Sequence, residues 1–264
     1  MNESRRVVTA ADGVRVSYAV FEGEGPAVVV LHGLAGSSRE FVPTARRLAG
    51  RKVILVDQRG HGLSTRVPAD VSRSAFVGDV IEVIEAESAE PVDLVGHSMG
   101  AHTAMLVAAA RPDLVRRLVL LEGNEGSGST ADHAALGDYF RSWAVPFADQ
   151  ASAKKSLGDG PLQQAWVADL EERPDGLYPR FDVDVMLATS AAVARPRWKE
   201  WECISAPVLV IYADGGMFTD EQKAAFVERG NDVTRVDLAG ASHDAHLDSF
   251  EPLISALRAF LLTG

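Results

Sequence analysis

Apolar residues in this chain fall into short, nearly unbroken runs, and the stretches between them have helical spacing. The runs are "AVVVLHG" (residues 27–33), "KVILVDQRGHG" (52–62), "VDLVGHSMG" (92–100), "VRRLVLLEG" (115–123), "PVLVIYA" (207–213) and "VTRVDLAG" (233–240). Each begins as a buried strand, and several end in Gly-rich loops. Between them, "SREFVPTARRLAG" (38–50), "AFVGDVIEVIEAE" (75–87), "AHTAMLVAAARPDL" (101–114), "TDEQKAAFVERG" (219–230) and the amphipathic "FEPLISALRAFLL" (250–262) read as helices. Strands without clean alternation, separated by helices, predict a mostly parallel twisted sheet covered on both faces, an α/β fold. Two earlier stretches, "RRVVTA" (5–10) and "RVSYAVF" (15–21), mix apolar and polar residues around the turn at Asp12-Gly13. They suit an antiparallel edge.

The rhythm stops at Gly123. "GNEGSGSTADHA" (123–134) is rich in Gly and Ser and predicts a linker. From there to about Cys203 the pattern is mostly helical, with breaks at Pro146, Pro161, Pro174, Pro179 and Pro196, and it holds all four tryptophans. We therefore expect an α/β core from residues 1–122 and 204–264, with residues 123–203 inserted as a helical cap. No internal repeat or low-complexity tract interrupts this organisation.

Composition narrows the partners. The 264 residues are 47% hydrophobic and 24% charged, with a formal net charge of −11. Such an acidic balance disfavours binding to nucleic-acid backbones, which need a basic face, and adsorption to anionic membranes. A single cysteine, Cys203, forms no intrachain disulfide, which fits a reducing compartment. The N-terminal residues carry charges but no apolar core of signal-peptide length, and no run approaches the ~18 apolar residues of a membrane span. The expectation is a cytoplasmic enzyme acting on a small molecule, with no nucleic-acid or membrane partner; a homo-oligomer stays open.

"GHSMG" (96–100) fits Gly-x-Ser-x-Gly. A nucleophilic serine at this spacing occupies a strained turn between strand and helix, and the small flanking residues let the two backbones pass closely. Here the motif follows "VDLV" and precedes a helical stretch, the context such an elbow needs. The N–H of Met99 then faces a developing oxyanion at a helix N-terminus. "LHGLAGS" (31–37) ends an earlier strand and offers the Leu34 N–H as a second donor, with His32 beside it. Asp57 and Arg59, in "DQRGHGLS" (57–64), read as loop-bracing residues.

The order "LHG", "DQRGHGLS", "GHSMG", then "GASHDAHLD" (240–248) resembles the α/β-hydrolase fold superfamily over nearly the whole chain. The resemblance implies Ser98 as nucleophile and a histidine base after the last strand. Of seven histidines, His243 occupies that place; His32, His61 and His97 belong to loops, His102 to a helix and His133 to the linker, and His246 reads as loop packing. A His243-x-x-His246 metal pair without further ligands in register is a weak signal, and no metal or cofactor is expected. Nor does a Gly-x-Gly-x-x-Gly or Walker motif appear in the needed context.

The acid is ambiguous. The superfamily's pattern after "VLVIYA" is Gly-x-x-Asp, but here Ala213 replaces the Gly and Gly216 falls where the Asp would stand. Asp214 sits two residues early, and a shift along a strand end changes reach and facing. Glu122, ending the preceding core strand, is the preferred acid because some members of the superfamily carry theirs on that strand; Asp214 is the alternative. Aromatics of the inserted region, Trp143 and Phe147 first, together with His32, Met217 and Phe218, are expected at the substrate pocket, and Arg141 and Arg180 are weaker candidates for holding a carboxylate. The leading function is a serine hydrolase of a small apolar or aromatic ester or lactone. Cofactor-free perhydrolase chemistry, amide or carbon–carbon hydrolysis, and a non-catalytic ligand-binding protein are the alternatives.

Overall fold

The computed structural model describes residues 3–126 and 130–262, without the side chains of residues 130, 131 and 133. The strands are β1 (Glu3–Thr9), β2 (Arg15–Phe21), β3 (Glu24–Leu31), β4 (Arg51–Val56), β5 (Val92–His97), β6 (Val115–Leu121), β7 (Glu171–Arg173), β8 (Gly176–Tyr178), β9 (Val208–Gly215) and β10 (Val233–Ser242). The helices are α1 (Val42–Arg47), α2 (Arg73–Glu87), α3 (Met99–Ala110), α4 (Thr130–Arg141), α5 (Gln150–Leu157), α6 (Pro161–Ala168), α7 (Val183–Val193), α8 (Trp198–Glu202), α9 (Asp220–Glu228), α10 (Ala245–Asp248) and α11 (Phe250–Leu261).

Eight strands form one sheet in the order β1-β2-β4-β3-β5-β6-β9-β10. Strands β1 and β2 pair antiparallel at one edge, and β2 meets β4 antiparallel; every other neighbour is parallel. The apolar runs are continuous because both sheet faces are covered. In β3, Val29 and Leu31 join the core under α2 and α3, whereas Val28 and Val30 join the core under α1 and α11. Burying each such side chain contributes roughly 1.5–3 kcal/mol, so a run with no polar position stabilises only a doubly covered strand. Helix α11 shows the complementary pattern: Leu253, Ile254, Leu257 and Leu261 are buried, at helical spacing.

The segment between β6 and β9 departs from its sequence reading in two places. Helix α4 begins at Thr130, inside the stretch whose composition predicts a linker; His133 lies on it, its side chain outside the described residues. And β7 and β8 form an antiparallel hairpin where helix was expected. The connecting residues are Pro174 and Asp175, followed by Gly176 at φ 141°, and Pro-Asp-Gly is a turn signal in its own right. Among the described residues no helix is long and apolar enough to cross a membrane.

Candidate active site

Strand β5 delivers Ser98 at the carboxyl edge of the sheet, between the last strand residue, His97, and the first residue of α3, Met99. Ser98 has φ 53° and ψ −117°, a conformation costing a non-glycine residue on the order of 1–3 kcal/mol. The turn is pinned from both sides: Ser98 N–H donates to the Leu121 carbonyl at 2.9 Å, and His102 N–H donates to the Ser98 carbonyl at 3.1 Å. The flanking glycines are needed for packing. A Cβ at position 96 would lie 2.3 Å from the Gly100 oxygen, and one at position 100 would lie 2.4 Å from the Leu31 oxygen. Met99 opens α3, so its N–H is one of the donors a helix leaves unsatisfied at its N-terminus.

Glu122 follows β6 directly and also adopts positive φ, 49°. Its backbone N–H donates to the Ile211 carbonyl on β9, which locks the strained residue against the neighbouring strand. The side chain is buried. Oε1 accepts from the Ala213 N–H at 2.8 Å, and Oε2 accepts from the Met217 N–H at 3.0 Å. Oε2 also lies 3.1 Å from Nδ1 of His243. Burial pushes the carboxyl pKa up, but the bonds from His243, Ala213 and Met217 outweigh it and hold Glu122 below the usual carboxylate range. An ionised carboxylate only accepts, so the proton of this pair sits on Nδ1 of His243.

Asp214 has a different occupation. It is exposed, and its Oδ2 accepts from the Gly240 N–H at 2.9 Å, tying the ends of β9 and β10 together. That bond lowers its pKa. Gly216 explains the missing acid at its own position: a Cβ there would stand 2.4 Å from both carboxylate oxygens of Glu122. The space is filled by a carboxylate arriving from the adjacent strand.

Ser98, His243 and Glu122 line one cavity of about 320 Å³, with Leu34, Met99, Leu136, Tyr139, Phe140, Leu162, Trp166, Val193, Met217 and Phe218 around them. Among the described residues Ser98 makes no hydrogen bond to His243; they meet only as neighbours on the cavity wall. Catalytic hydrogen bonds in ligand-free sites are often long and tighten when substrate binds. The charged residues on the wall are Glu40, Glu122 and Asp244, and no Lys or Arg joins them among the described residues.

Several sequence expectations are corrected here. Trp143 and Phe147 do not line this cavity. They are buried with Phe140, Phe181 and Met186 in a core of the segment between β6 and β9, because a small helical layer needs its largest side chains for its own packing. Tyr139, Phe140 and Trp166 face the cavity instead. His32 is also withdrawn from it: Nδ1 donates to the Gly33 carbonyl and Nε2 accepts from the Gln58 N–H, so the ring braces two loops. Arg141 is paired with Asp184, and Arg180 with Asp169 and Glu171, away from the cavity wall. Asp57 accepts from the Ser38 and Leu63 N–H groups, and Arg59 pairs with Asp79 and Asp12.

One feature was missed altogether. His97, beside Ser98, is buried, and its Nε2 donates to the His243 carbonyl at 2.9 Å. It rests between His243 and His246, whose ring stacks on Phe41. Burial holds the imidazole of His97 well below its ordinary pKa, with its histidine neighbours adding to the effect. Nothing in local sequence links positions 97 and 243; the only hint was a histidine on each of two strand ends.

A family model described as the alpha/beta hydrolase fold matches residues 26–250. The chain is 43% identical over 262 residues to the sn-1-specific diacylglycerol lipase ABHD11 of Mus musculus, covering 93% of this chain and 85% of that one. It is 28% identical over 279 residues to the 2-(acetamidomethylene)succinate hydrolase of Mesorhizobium japonicum, covering 98% and 95%. A crystal structure of E-2-(acetamidomethylene)succinate hydrolase superposes with a TM-score of 0.90 at 24% identity, over 99% of this chain and all of the other, a likeness of fold. The chain belongs to the α/β-hydrolase fold family.

Proposed function

We propose that this α/β hydrolase cleaves neutral, apolar carboxylic esters or lactones through an acyl-enzyme on Ser98. The observation that carries the proposal is the Glu122 Oε2 to His243 Nδ1 contact at 3.1 Å, on the wall of the cavity that Ser98 also lines. With Nδ1–H held by Glu122, the lone pair of His243 lies on Nε2, the nitrogen that takes the serine proton. Ser98 Oγ attacks the carbonyl carbon and its proton passes to Nε2. The N–H groups of Met99 and Leu34 stabilise the oxyanion, a contribution worth about 10²–10³-fold for one donor in comparable enzymes. Collapse expels the alcohol, which leaves with the proton from Nε2; water, deprotonated by the same nitrogen, then releases the acid. Glu122 stays ionised and stabilises the imidazolium in both halves. The helices between β6 and β9 act as a cap, contributing the apolar wall.

The substrate class follows from charge. The two named relatives act on different chemistries, a diacylglycerol and a substituted succinate. A succinate-like acyl group would place its own carboxylate beside Glu40 and Asp244 with no cation on the described wall to meet it. Like charges without a counter-ion in a largely apolar cavity oppose binding. An uncharged acyl chain suits the Leu, Met, Phe and Trp lining.

Two measurements check this. A fluorophosphonate probe labels the wild type and not Ser98→Ala; an unlabelled wild type would sink the serine-hydrolase reading. On p-nitrophenyl butyrate the kcat/KM exceeds that on p-nitrophenyl hemisuccinate by roughly tenfold or more, one like-charge contact at intermediate dielectric. Equal or reversed values would return the succinate-type substrate.

A further inference from the structure

The second histidine of "HDAH" turns away from the first. His243 faces Glu122, whereas His246 faces His97 and Glu40. His97 and His246 come within reach of Asp244: one ligand atom from each of these three residues lies within 4.8 Å of the others. The His97 Nε2 to Asp244 Oδ1 distance is 3.9 Å, and Glu40 Oε2 lies 3.3 Å from His246 Nε2. No Lys or Arg pairs with Glu40 or Asp244 among the described residues, and both carboxylates line the cavity. Two carboxylates in a partly buried site without a counter-cation are costly. Each histidine keeps Nδ1 without a hydrogen-bond partner, while His97 Nε2 carries the proton given to the His243 carbonyl.

We propose that His97, Asp244 and His246, with Glu40 beside them, bind a divalent transition-metal ion of the Zn²⁺ class, and that the ion suppresses turnover at the adjoining Ser98 and His243. Two imidazoles and one or two carboxylates suit Zn²⁺ or Co²⁺ better than Mg²⁺ or Ca²⁺. A tetrahedral ion with bonds of about 2.0–2.1 Å sets its donors about 3.3 Å apart, so the cluster must close around it. Asp244, at 19% exposure against 7% for Glu40, has the more room to shift. Coordination at His97 Nε2 shifts the ring proton to Nδ1 and removes the hydrogen bond to the His243 carbonyl. It also places positive charge next to the ring that becomes an imidazolium: the centroids of His97 and His243 are 4.9 Å apart. A unit charge opposing that imidazolium from about 6 Å, at an effective dielectric of about 20, corresponds to roughly a hundredfold in rate. The inhibitory half rests on the serine-hydrolase reading; the binding half does not.

Titrating the wild-type protein with Co²⁺ tests both halves. The expected result is visible absorption of four-coordinate cobalt that saturates at one equivalent and is displaced by Zn²⁺. Ester turnover falls roughly a hundredfold at saturating Zn²⁺ and returns with chelator. His246→Gln, outside the catalytic machinery, loses the cobalt absorption and the Zn²⁺ sensitivity and keeps metal-free turnover within about twofold. If circular dichroism shows that this variant does not fold, Asp244→Asn replaces it, with cobalt absorption as its readout. A wild type with neither cobalt absorption nor calorimetric heat with Zn²⁺, or a folded variant with the wild-type cobalt spectrum, overturns the site. Binding without inhibition overturns the control of turnover alone. If the protein proves to have no esterase activity, the cobalt arms still decide the site.

Discussion

Strands β6 and β9 run parallel side by side, with Leu121 paired to Ile211, and each carries an acidic residue at the same edge of the sheet: Glu122 just past the end of β6, Asp214 one residue before the end of β9. The two ends have opposite fates. Glu122 is buried, holds positive φ and accepts from two backbone N–H groups and His243. Asp214 is exposed and accepts from the Gly240 N–H, tying β9 to β10. The difference shows that position along a strand decides less than what the neighbouring strand leaves open. Gly216 leaves out the one Cβ that would collide with the Glu122 carboxylate.

The largest effect should come from the β6 end. Glu122→Gln keeps the shape and removes the charge, and turnover of an activated ester falls by about 10⁴, as when a triad carboxylate is neutralised elsewhere; steady-state kcat measures it. Next comes the space between the strands. Gly216→Ala sets a methyl against the carboxylate oxygens and displaces Glu122, which lowers kcat by about 10²-fold with KM little changed. A Gly216→Ala enzyme with wild-type kcat would mean that the vacancy carries no functional weight.

Acid sharpens the comparison further. Burial pushes His61 and His102 down to about 3 and His97 well below its ordinary value. In the unfolded chain these rings take up protons below about pH 6.5, while the folded state refuses them. Stability therefore declines as pH falls below that value, by on the order of 1 kcal/mol per pH unit for each histidine. Glu122 acts in the same direction but at lower pH. Its folded pKa lies below its ordinary value, so its contribution is present above about 4.5 and is lost only as pH falls through the lower folded value. Denaturant midpoints at pH 7, 6 and 5 should fall steadily, and Glu122→Gln should leave that slope unchanged. The smallest effect belongs to the β9 end: Asp214→Asn changes kcat by no more than about twofold and lowers the thermal midpoint slightly.

The elements were legible where chemistry and spacing coincide. The sheet shows in the apolar runs because strands covered on both faces have no polar positions. Ser98 shows because its turn demands glycines at fixed offsets, and those offsets are local in sequence. Local sequence does not separate Glu122 from Asp214, since the deciding contacts come from Ala213, Met217 and His243, up to 121 residues away. Trp143 and Phe147 misled because aromatic size signals burial without saying in which core. The β7–β8 hairpin was marked by Pro174, Asp175 and Gly176, yet its strands are three residues each, too short to show a period. The His97, Asp244 and His246 cluster joins a strand end to two residues at and after the start of α10, far along the chain, a proximity that only the fold creates.

The most direct test is the proton on Nδ1 of His243, seen by proton NMR as a resonance far downfield of the amides and assigned by its loss in His243→Ala. If Glu122 is its partner, the resonance persists in Asp214→Asn and vanishes or moves sharply upfield in Glu122→Gln. Loss in Asp214→Asn with retention in Glu122→Gln would contradict the account.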